Sequence, residues 1–204
     1  KDEVAKEEKK DYGIQINEKA AAMIFTDIKP EEKDVIDFVS AYGLMKGVAD
    51  AKFAPDRYIT RAMLVETLMR MSKDKSAMAM LSFSDVRSDE WYTNSVYWAV
   101  THGYVNGYTD GSFRPNNLIT RQEFAAVLDR FLRVNGINLD KVQAFNVSDK
   151  DAIAPWAYEA VKLMAEYGLV EAKDGQNYMP NSYVSRYELA RALKIITEFV
   201  IRSK

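Results

Sequence analysis

The chain has 204 residues, of which 48% are hydrophobic and 28% charged, a composition that argues against disordered, collagen-like or membrane-spanning architectures. Its 28 basic and 30 acidic residues give a net charge of -2, so it lacks the positive field that nucleic acid or an anionic membrane attracts. The absence of cysteine and the single histidine, His102, exclude thiol catalysis, disulfides and cysteine- or multi-histidine-bound metals. We expect no metal, no cofactor, and anion binding only at local sites.

The first 24 residues differ from the rest in composition. Residues 1–10 contain four lysines and four acidic residues, and residues 20–23 read Ala-Ala-Ala-Met. This pattern predicts a charged linker that runs into a helix. We expect it to continue a longer protein N-terminal to residue 1.

Three blocks of equal design follow this segment. In each block a glycine precedes a proline by twelve residues and an arginine by eighteen, at the positions Gly43/Pro55/Arg61, Gly103/Pro115/Arg121 and Gly168/Pro180/Arg186. The arginines are 60 residues (121 - 61) and 65 residues (186 - 121) apart. A fixed period indicates a repeat protein. We predict one domain made of three repeats, at residues 25–82, 83–144 and 145–204.

Each repeat contains two helical patterns. In the second repeat the apolar residues between Trp91 and His102 recur at helical spacing, and Gly103 ends the pattern. A second stripe recurs at i, i+3, i+4 and i+7 from Phe124 to Phe131, and the other repeats show the same two patterns. The sequence therefore predicts an all-α, mainly helical fold in which three second helices close on one another.

The second helices begin with a capping motif. Thr120 and Glu123 have the spacing of a capping box, and Ser185 and Glu188 repeat it. In the first repeat the cap residue is a threonine too, but Met63 replaces the glutamate. The start of the second helix is thus marked three times.

An arginine follows the cap in all three repeats, where it faces the positive end of the helix dipole at a cost of about 0.3 to 1 kcal/mol. Three such arginines beside free helix amides indicate sites for a carboxylate or phosphate. In the alternative interpretation the arginine packs on a neighbouring repeat and pairs with an acid such as Asp27, Asp85 or Asp149. Both interpretations stay open on the residues alone.

Other chemical candidates favour structural roles. Trp91 and Trp156 follow the aspartates that open their repeats, and a tryptophan before a helix is more often core packing than a sugar platform. The opening aspartates are expected to brace loops. Asp110-Gly111 does not extend into a calcium-binding loop. No pair of carboxylates stands out for catalysis, so we expect no enzyme.

Three stretches of the second repeat, Phe83–Val86, Gly103–Pro115 and Ile119–Phe124, together resemble a surface-layer homology (SLH) repeat. Three copies cover everything except the N-terminal segment. The resemblance implies three helix-loop-helix repeats in a pseudo-threefold, three-pronged spindle around a central bundle of second helices, with grooves between the prongs.

The resemblance also implies a function. SLH modules anchor S-layer proteins and exoenzymes to the bacterial cell wall without a covalent bond, and their usual ligand is a secondary cell wall polysaccharide. That polymer often ends in a pyruvate-ketal N-acetylmannosamine, whose carboxylate meets the motif arginine. We therefore expect a secreted, cell-surface protein fused to a further S-layer or exoenzyme region, with these ligand-binding residues: Arg61, Arg121, Arg186, Gly47, Gly107, Asp50, Asp110, Trp91 and Trp156.

Departures from the motif predict unequal grooves. We expect Lys33 of the first repeat to stand where the second repeat has Trp91, and the third repeat has Ala172 where the other two have glycine. We expect the groove of Arg121 to bind best, then that of Arg61, then that of Arg186. Two other functions stay open: a structural or protein-docking S-layer module with the arginines as internal struts, and a peptidoglycan-binding module.

Overall fold

The described part of the chain folds into six α-helices. The computed structural model describes residues 11–16, 23–77 and 82–203, and within them the all-α prediction is confirmed. The helices are α1 (Lys33–Ala41), α2 (Arg61–Met71), α3 (Thr93–Thr101), α4 (Arg121–Val134), α5 (Tyr158–Glu166) and α6 (Arg186–Arg202), with 3-10 turns at Pro30–Glu32, Lys150–Ala152 and Pro155–Ala157. No helix in these ranges is long and apolar enough to cross a bilayer.

The helix boundaries follow the predicted signals. The three glycines after the first helices, at positions 43, 103 and 168, have φ of 67°, 72° and 71°, the left-handed conformation that ends a helix. The capping box closes around Thr120 in α4 and Ser185 in α6, whereas Thr60 caps α2 alone. The first helices begin at residues 33, 93 and 158, so Glu31, Trp91 and Trp156 each lie two residues before a first helix. The expectation that Lys33 occupies the position of Trp91 was therefore wrong.

The helices pack in a closed cycle. Among the described residues, three pairs of α-helices pack extensively on each other: α2 with α3, α4 with α5, and α6 with α1. Each second helix therefore lies against the first helix of the next repeat, and the last repeat closes on the first. The predicted bundle of second helices packed along each other is not found among these pairs. The repeat bounds drawn from the sequence stay a prediction.

Near the N-termini of the second helices, isolated backbone bridges join neighbouring repeats: Tyr58 to Ser185, Thr60 to Leu118, and Thr120 to Tyr183. The first two amides of each second helix donate to carbonyl groups of a neighbouring repeat at 2.9 to 3.0 Å, and the third donates to the cap. The sequence had suggested that the helix-start amides are free to bind an anion, but these hydrogen bonds occupy them. They hold the repeats together instead.

One continuous core runs through all three repeats. Aligned positions of the first helices are fully buried in every repeat, as are those of the second helices, in the sets Ile36/Val96/Val161 and Leu64/Phe124/Leu189. The predicted apolar faces are thus confirmed. Because single repeats are too small to bury their own faces, the shared core is what makes the three repeats one folding unit.

Residues 11–16, which the sequence assigned to the linker, lie on this core. Tyr12 and Ile14 are buried, and Tyr12 contacts Phe199 of α6 with ring centroids 5.8 Å apart. The amide of Gln15 donates to the carbonyl of Met71 at 2.6 Å. The charged stretch 1–10 and most of the predicted helix at 20–23 lie outside the described residues; Met23 is not helical.

The opening aspartates brace the loops, as predicted. Asp85 accepts hydrogen bonds from the backbone amides of Phe113 and Arg114, both at 2.8 Å, and Asp27 and Asp149 make the same pair of bonds in their repeats. Arg114 has a φ of 60°, which is costly for a residue with a Cβ atom. The aspartate therefore pins a strained turn just before the proline.

We expect Asp85→Ala to lower the free energy of unfolding by about 2–3 kcal/mol, since hydrogen bonds to a charged group contribute roughly 1.5–3 kcal/mol. Urea denaturation followed by circular dichroism measures it. The control is Asp89→Ala, because Asp89 forms a surface ion pair with the exposed Arg87 and such a pair contributes roughly 0–1 kcal/mol. Equal loss in both variants would contradict the bracing role.

Candidate functional site: three grooves between repeats

Three grooves lie between neighbouring repeats. Groove A is formed by the loop at 45–47, α2, Arg186 and Trp91. Groove B is formed by the loop at 105–108, α4, Arg61 and Trp156. Groove C is formed by the loop at 169–173, the start of α6, Asp56 and Tyr58. Their volumes are about 200, 170 and 430 Å³.

The three motif arginines are buried, with 8% of Arg61, 1% of Arg121 and 8% of Arg186 exposed. Each Nε donates to a loop carbonyl of the next repeat in the cycle, those of Phe113, Tyr178 and Phe53 respectively, at 2.7 to 3.0 Å. Each Nη2 donates to a second carbonyl of the same loop, and each guanidinium lies over an aromatic ring, 4.6 to 4.8 Å from its centroid. The arginines therefore join repeats, but within the described residues none pairs with Asp27, Asp85 or Asp149.

The arginines differ in their acidic partners. Arg121 forms an ion pair with Glu188. In the described part of the chain neither of the other two forms an ion pair. The position of Glu188 is taken by Met63 in groove A and by Glu123 in groove B. The Glu123 carboxylate accepts hydrogen bonds from the amide and hydroxyl of its own cap residue, Thr120, at 2.8 and 2.7 Å. Grooves A and B therefore each retain an arginine without an internal counter-ion.

Burial and the nearby charge of Arg57 lower the pKa of Arg186 to about 10, against an opposing contribution from Asp27. The guanidinium is still a cation at neutral pH. Because its positive charge is desolvated and has no carboxylate partner, an anion bound in groove A would stabilise it. This is the electrostatic property expected of an anion site.

The two repeat-opening tryptophans are exposed, Trp91 to 57% and Trp156 to 60%. The expectation that they pack in the core was wrong; Trp98 is the buried tryptophan. A residue just before a helix lies outside the helical periodicity, so the apolar pattern gave no information about its direction. Trp91 lines groove A and Trp156 lines groove B, whereas the equivalent residue of the first repeat is the exposed Glu31.

The two predicted loop glycines have a structural cause. A Cβ atom on Gly107 would lie 2.3 Å from the Phe83 ring, and one on Gly47 would lie 2.8 Å from the Phe25 ring. These approaches exclude any side chain in either place. Ala172 is accommodated in the third repeat, where Phe145 precedes its aspartate by four residues instead of two.

The two predicted loop aspartates, Asp50 and Asp110, are exposed and are not among the residues that line the grooves. Asp110 accepts hydrogen bonds from the amide and hydroxyl of Ser112 at 2.9 and 2.6 Å and from Arg114 at 2.9 Å. These donors hold the pKa of Asp110 well below its usual range. The carboxylate shapes the loop tip.

Two groove arginines were missed by sequence reasoning. Arg70 lines groove A and Arg130 lines groove B, and both lie nine residues after the motif arginine of their own repeat. Extending the alignment of the second helices beyond the motif arginine toward their C-termini would have found them; Ile195 takes this position in the third repeat. Grooves A and B therefore each combine two arginines with one exposed tryptophan.

No group of three or more histidine, aspartate and glutamate side chains in the described ranges is arranged to hold a metal ion. The chemistry on view in the grooves is that of binding: fixed guanidinium donors, an aromatic face and loop backbone.

The family model described as S-layer homology domain matches residues 24–62, 82–125 and 148–190. An amylopullulanase of Thermoanaerobacterium thermosulfurigenes is 31% identical over 81% of this chain and 9% of its own length. A surface-layer 125 kDa protein of Lysinibacillus sphaericus is 25% identical over 81% of this chain and 14% of its own length. A cellulosome-anchoring protein of Acetivibrio thermocellus is 27% identical over 70% of this chain and 32% of its own length. The chain thus spans less than a third of each of these relatives.

Proposed function

Because the chain belongs to the S-layer homology domain family, we propose that it is a non-catalytic anchor that holds a larger protein at the bacterial cell surface by binding a cell wall polysaccharide without a covalent bond. A surface-layer protein and a cellulosome-anchoring protein among its relatives support a place at the cell surface. The enzyme relative matches over 9% of its length, which fits an appended module. We propose that the chain is secreted and fused to a further S-layer or exoenzyme region.

The observation that carries this proposal is the pairing of an arginine without a counter-ion and an exposed tryptophan in grooves A and B. Carbonyl groups fix Nε and Nη2 of Arg61 and Arg186, so the fork is held in place before a ligand arrives. A preorganised guanidinium binds a carboxylate with charge-assisted hydrogen bonds. The tryptophan offers an apolar face for a sugar ring.

We propose that the ligand is an acidic sugar terminus, a pyruvate-ketal N-acetylmannosamine, held by the motif arginines, with the loops of Gly47 and Gly107 beside it. The ion pair of Arg121 favours a different order of grooves from the sequence expectation, with A and B ahead of C. Direct contacts of Asp50 and Asp110 with the sugar stay a prediction.

Binding to the wall polysaccharide is expected to weaken about tenfold when Trp91→Ala and Trp156→Ala are combined, equivalent to about 1.4 kcal/mol of stacking energy. Both changes are needed, because either single variant leaves the other groove intact. Co-sedimentation of the purified protein with isolated wall polysaccharide gives the affinity. Since both side chains are exposed, melting should stay unchanged. The matched control is Val134→Ala, an apolar residue that is 57% exposed at the end of α4.

Depyruvylated polysaccharide and polymer-free peptidoglycan complete the experiment. Loss of binding after depyruvylation supports the acidic sugar. Equal binding to the native wall polysaccharide and to polymer-free peptidoglycan, or binding to peptidoglycan alone, would overturn the polysaccharide proposal in favour of a peptidoglycan module.

A structural, protein-docking role is the second candidate, because each motif arginine joins two repeats through carbonyl contacts. Destabilisation on removing an arginine fits both candidates, so the tryptophan variants discriminate between them. Unchanged polysaccharide binding in the variant that lacks both tryptophans would favour the docking role.

A further inference from the structure

Arg121 has an internal carboxylate where the other two motif arginines have none. Its Nη1 pairs with Glu188, and the side chains of the two residues are 2% and 22% exposed. Its Nε and Nη2 donate to the carbonyls of Tyr178 and Glu171. Each of the three guanidinium nitrogens therefore already has a partner within the chain.

Glu188 is held in this position from two sides. Its Oε2 accepts the amide of Ser185 at 2.8 Å in the capping box of α6, while Oε1 faces Arg121. Glu123 closes the same box in α4 without pairing to Arg61. The capping motif alone thus does not produce the ion pair.

Glu188 also lies between its arginine and groove C. The residues that line groove C include Glu188 but not Arg121, whereas Arg186 and Arg61 line grooves A and B. The further arginine of groove C, Arg191, pairs with Glu171 at 2.7 Å. Arg70 of groove A likewise pairs with Glu66 at 3.2 Å, so grooves A and C differ at the motif arginine and not at the further one. The arginine charges around groove C are therefore balanced internally.

We propose that Glu188 closes groove C to acidic ligands by occupying Arg121, so that the chain takes acidic sugar termini in grooves A and B only. The proposal rests on the proposed function, since it states which grooves take the acidic terminus. A carboxylate ligand would have to displace Glu188 from Arg121, which would leave the Glu188 side chain without its counter-ion. Groove C is left open to uncharged sugars.

The test is the number of binding sites for the methyl glycoside of pyruvate-ketal N-acetylmannosamine, measured by isothermal titration calorimetry. We expect about two sites in the unmodified chain and about three in Glu188→Met, which copies the residue found at Met63. The matched control is Glu198→Met on the same helix, because Glu198 pairs with Lys194 and lines none of the three grooves, so this variant should keep the original number. The glycoside without the ketal should gain no site in any variant.

The variant has a structural precedent within the chain. In the described part of the chain, the guanidinium groups of Arg61 and Arg186 are buried against loop carbonyls and aromatic rings without an ion pair, which is the environment that Arg121 would retain. Circular dichroism melting checks the fold, and Glu188→Ala serves as a second variant with less side-chain volume.

Three sites in the unmodified chain would overturn the proposal, as would an unchanged number in both Glu188 variants. If the unmodified chain binds at two sites and the variants do likewise, only this inference fails. If the unmodified chain binds none and a Glu188 variant gains one site, the closure of groove C by Glu188 stands, and both the proposed function and the assignment of acidic termini to grooves A and B fail. If neither binds, both fail.

Discussion

A fragment that ends at residue 144 is expected not to fold cooperatively, although it retains the first two repeats. Its α1 would lose α6, and its α4 would lose α5, so two helices would expose the apolar faces that the closed cycle buries. An open repeat array would lose only a terminal repeat and keep the remaining interfaces. Chemical denaturation of the fragment should show no sigmoidal transition.

A circular permutant provides the control. Joining residue 203 to residue 11 by a short glycine-serine linker and opening the chain after residue 144 keeps all three helix pairs, and the contact between Tyr12 and Phe199 shows that the joined ends lie near each other. The permutant should melt cooperatively. A fragment that unfolds as cooperatively as the full chain would contradict the cyclic closure.

Arg121→Ala is expected to lower the free energy of unfolding by about 3–5 kcal/mol, because removing one partner of a buried ion pair leaves the other without compensation. The change also leaves the carbonyls of Tyr178 and Glu171 without their donors. Urea denaturation gives the value.

Arg87→Ala is the control for this variant, since Arg87 pairs with Asp89 on the surface, where both side chains are mostly exposed, and such pairs contribute little. A loss below about 1 kcal/mol in Arg121→Ala would mean that the guanidinium is not part of the fold.

Local signals predicted the parts of the fold that depend on neighbouring residues. The glycine that ends each first helix, the cap that starts each second helix and the aspartate that braces each loop act within one repeat, and all are found as expected. Their chemistry is decided by short sequence patterns. This is why the helix boundaries and the loops were predictable.

The closure of the cycle was not predictable by the same means. An apolar stripe shows that a helix face is buried but does not say against which partner, so the packing of α6 on α1 had no sequence signal. The candidate site depends on that closure, because the arginine and the loop of each groove come from different repeats. The different behaviour of Glu123 and Glu188, which share one motif, likewise arises from tertiary contacts.

The docked segment at residues 11–16 has a mechanical consequence. A load applied through residue 11 is carried first by the burial of Tyr12 and Ile14 and by backbone hydrogen bonds of residues 13 and 15 to the end of α2. None of these residues lines groove A, B or C. Because this segment is separate from the residues that line the grooves, we expect tension applied at residue 11 to detach the segment first, with no direct effect on the shape of the grooves.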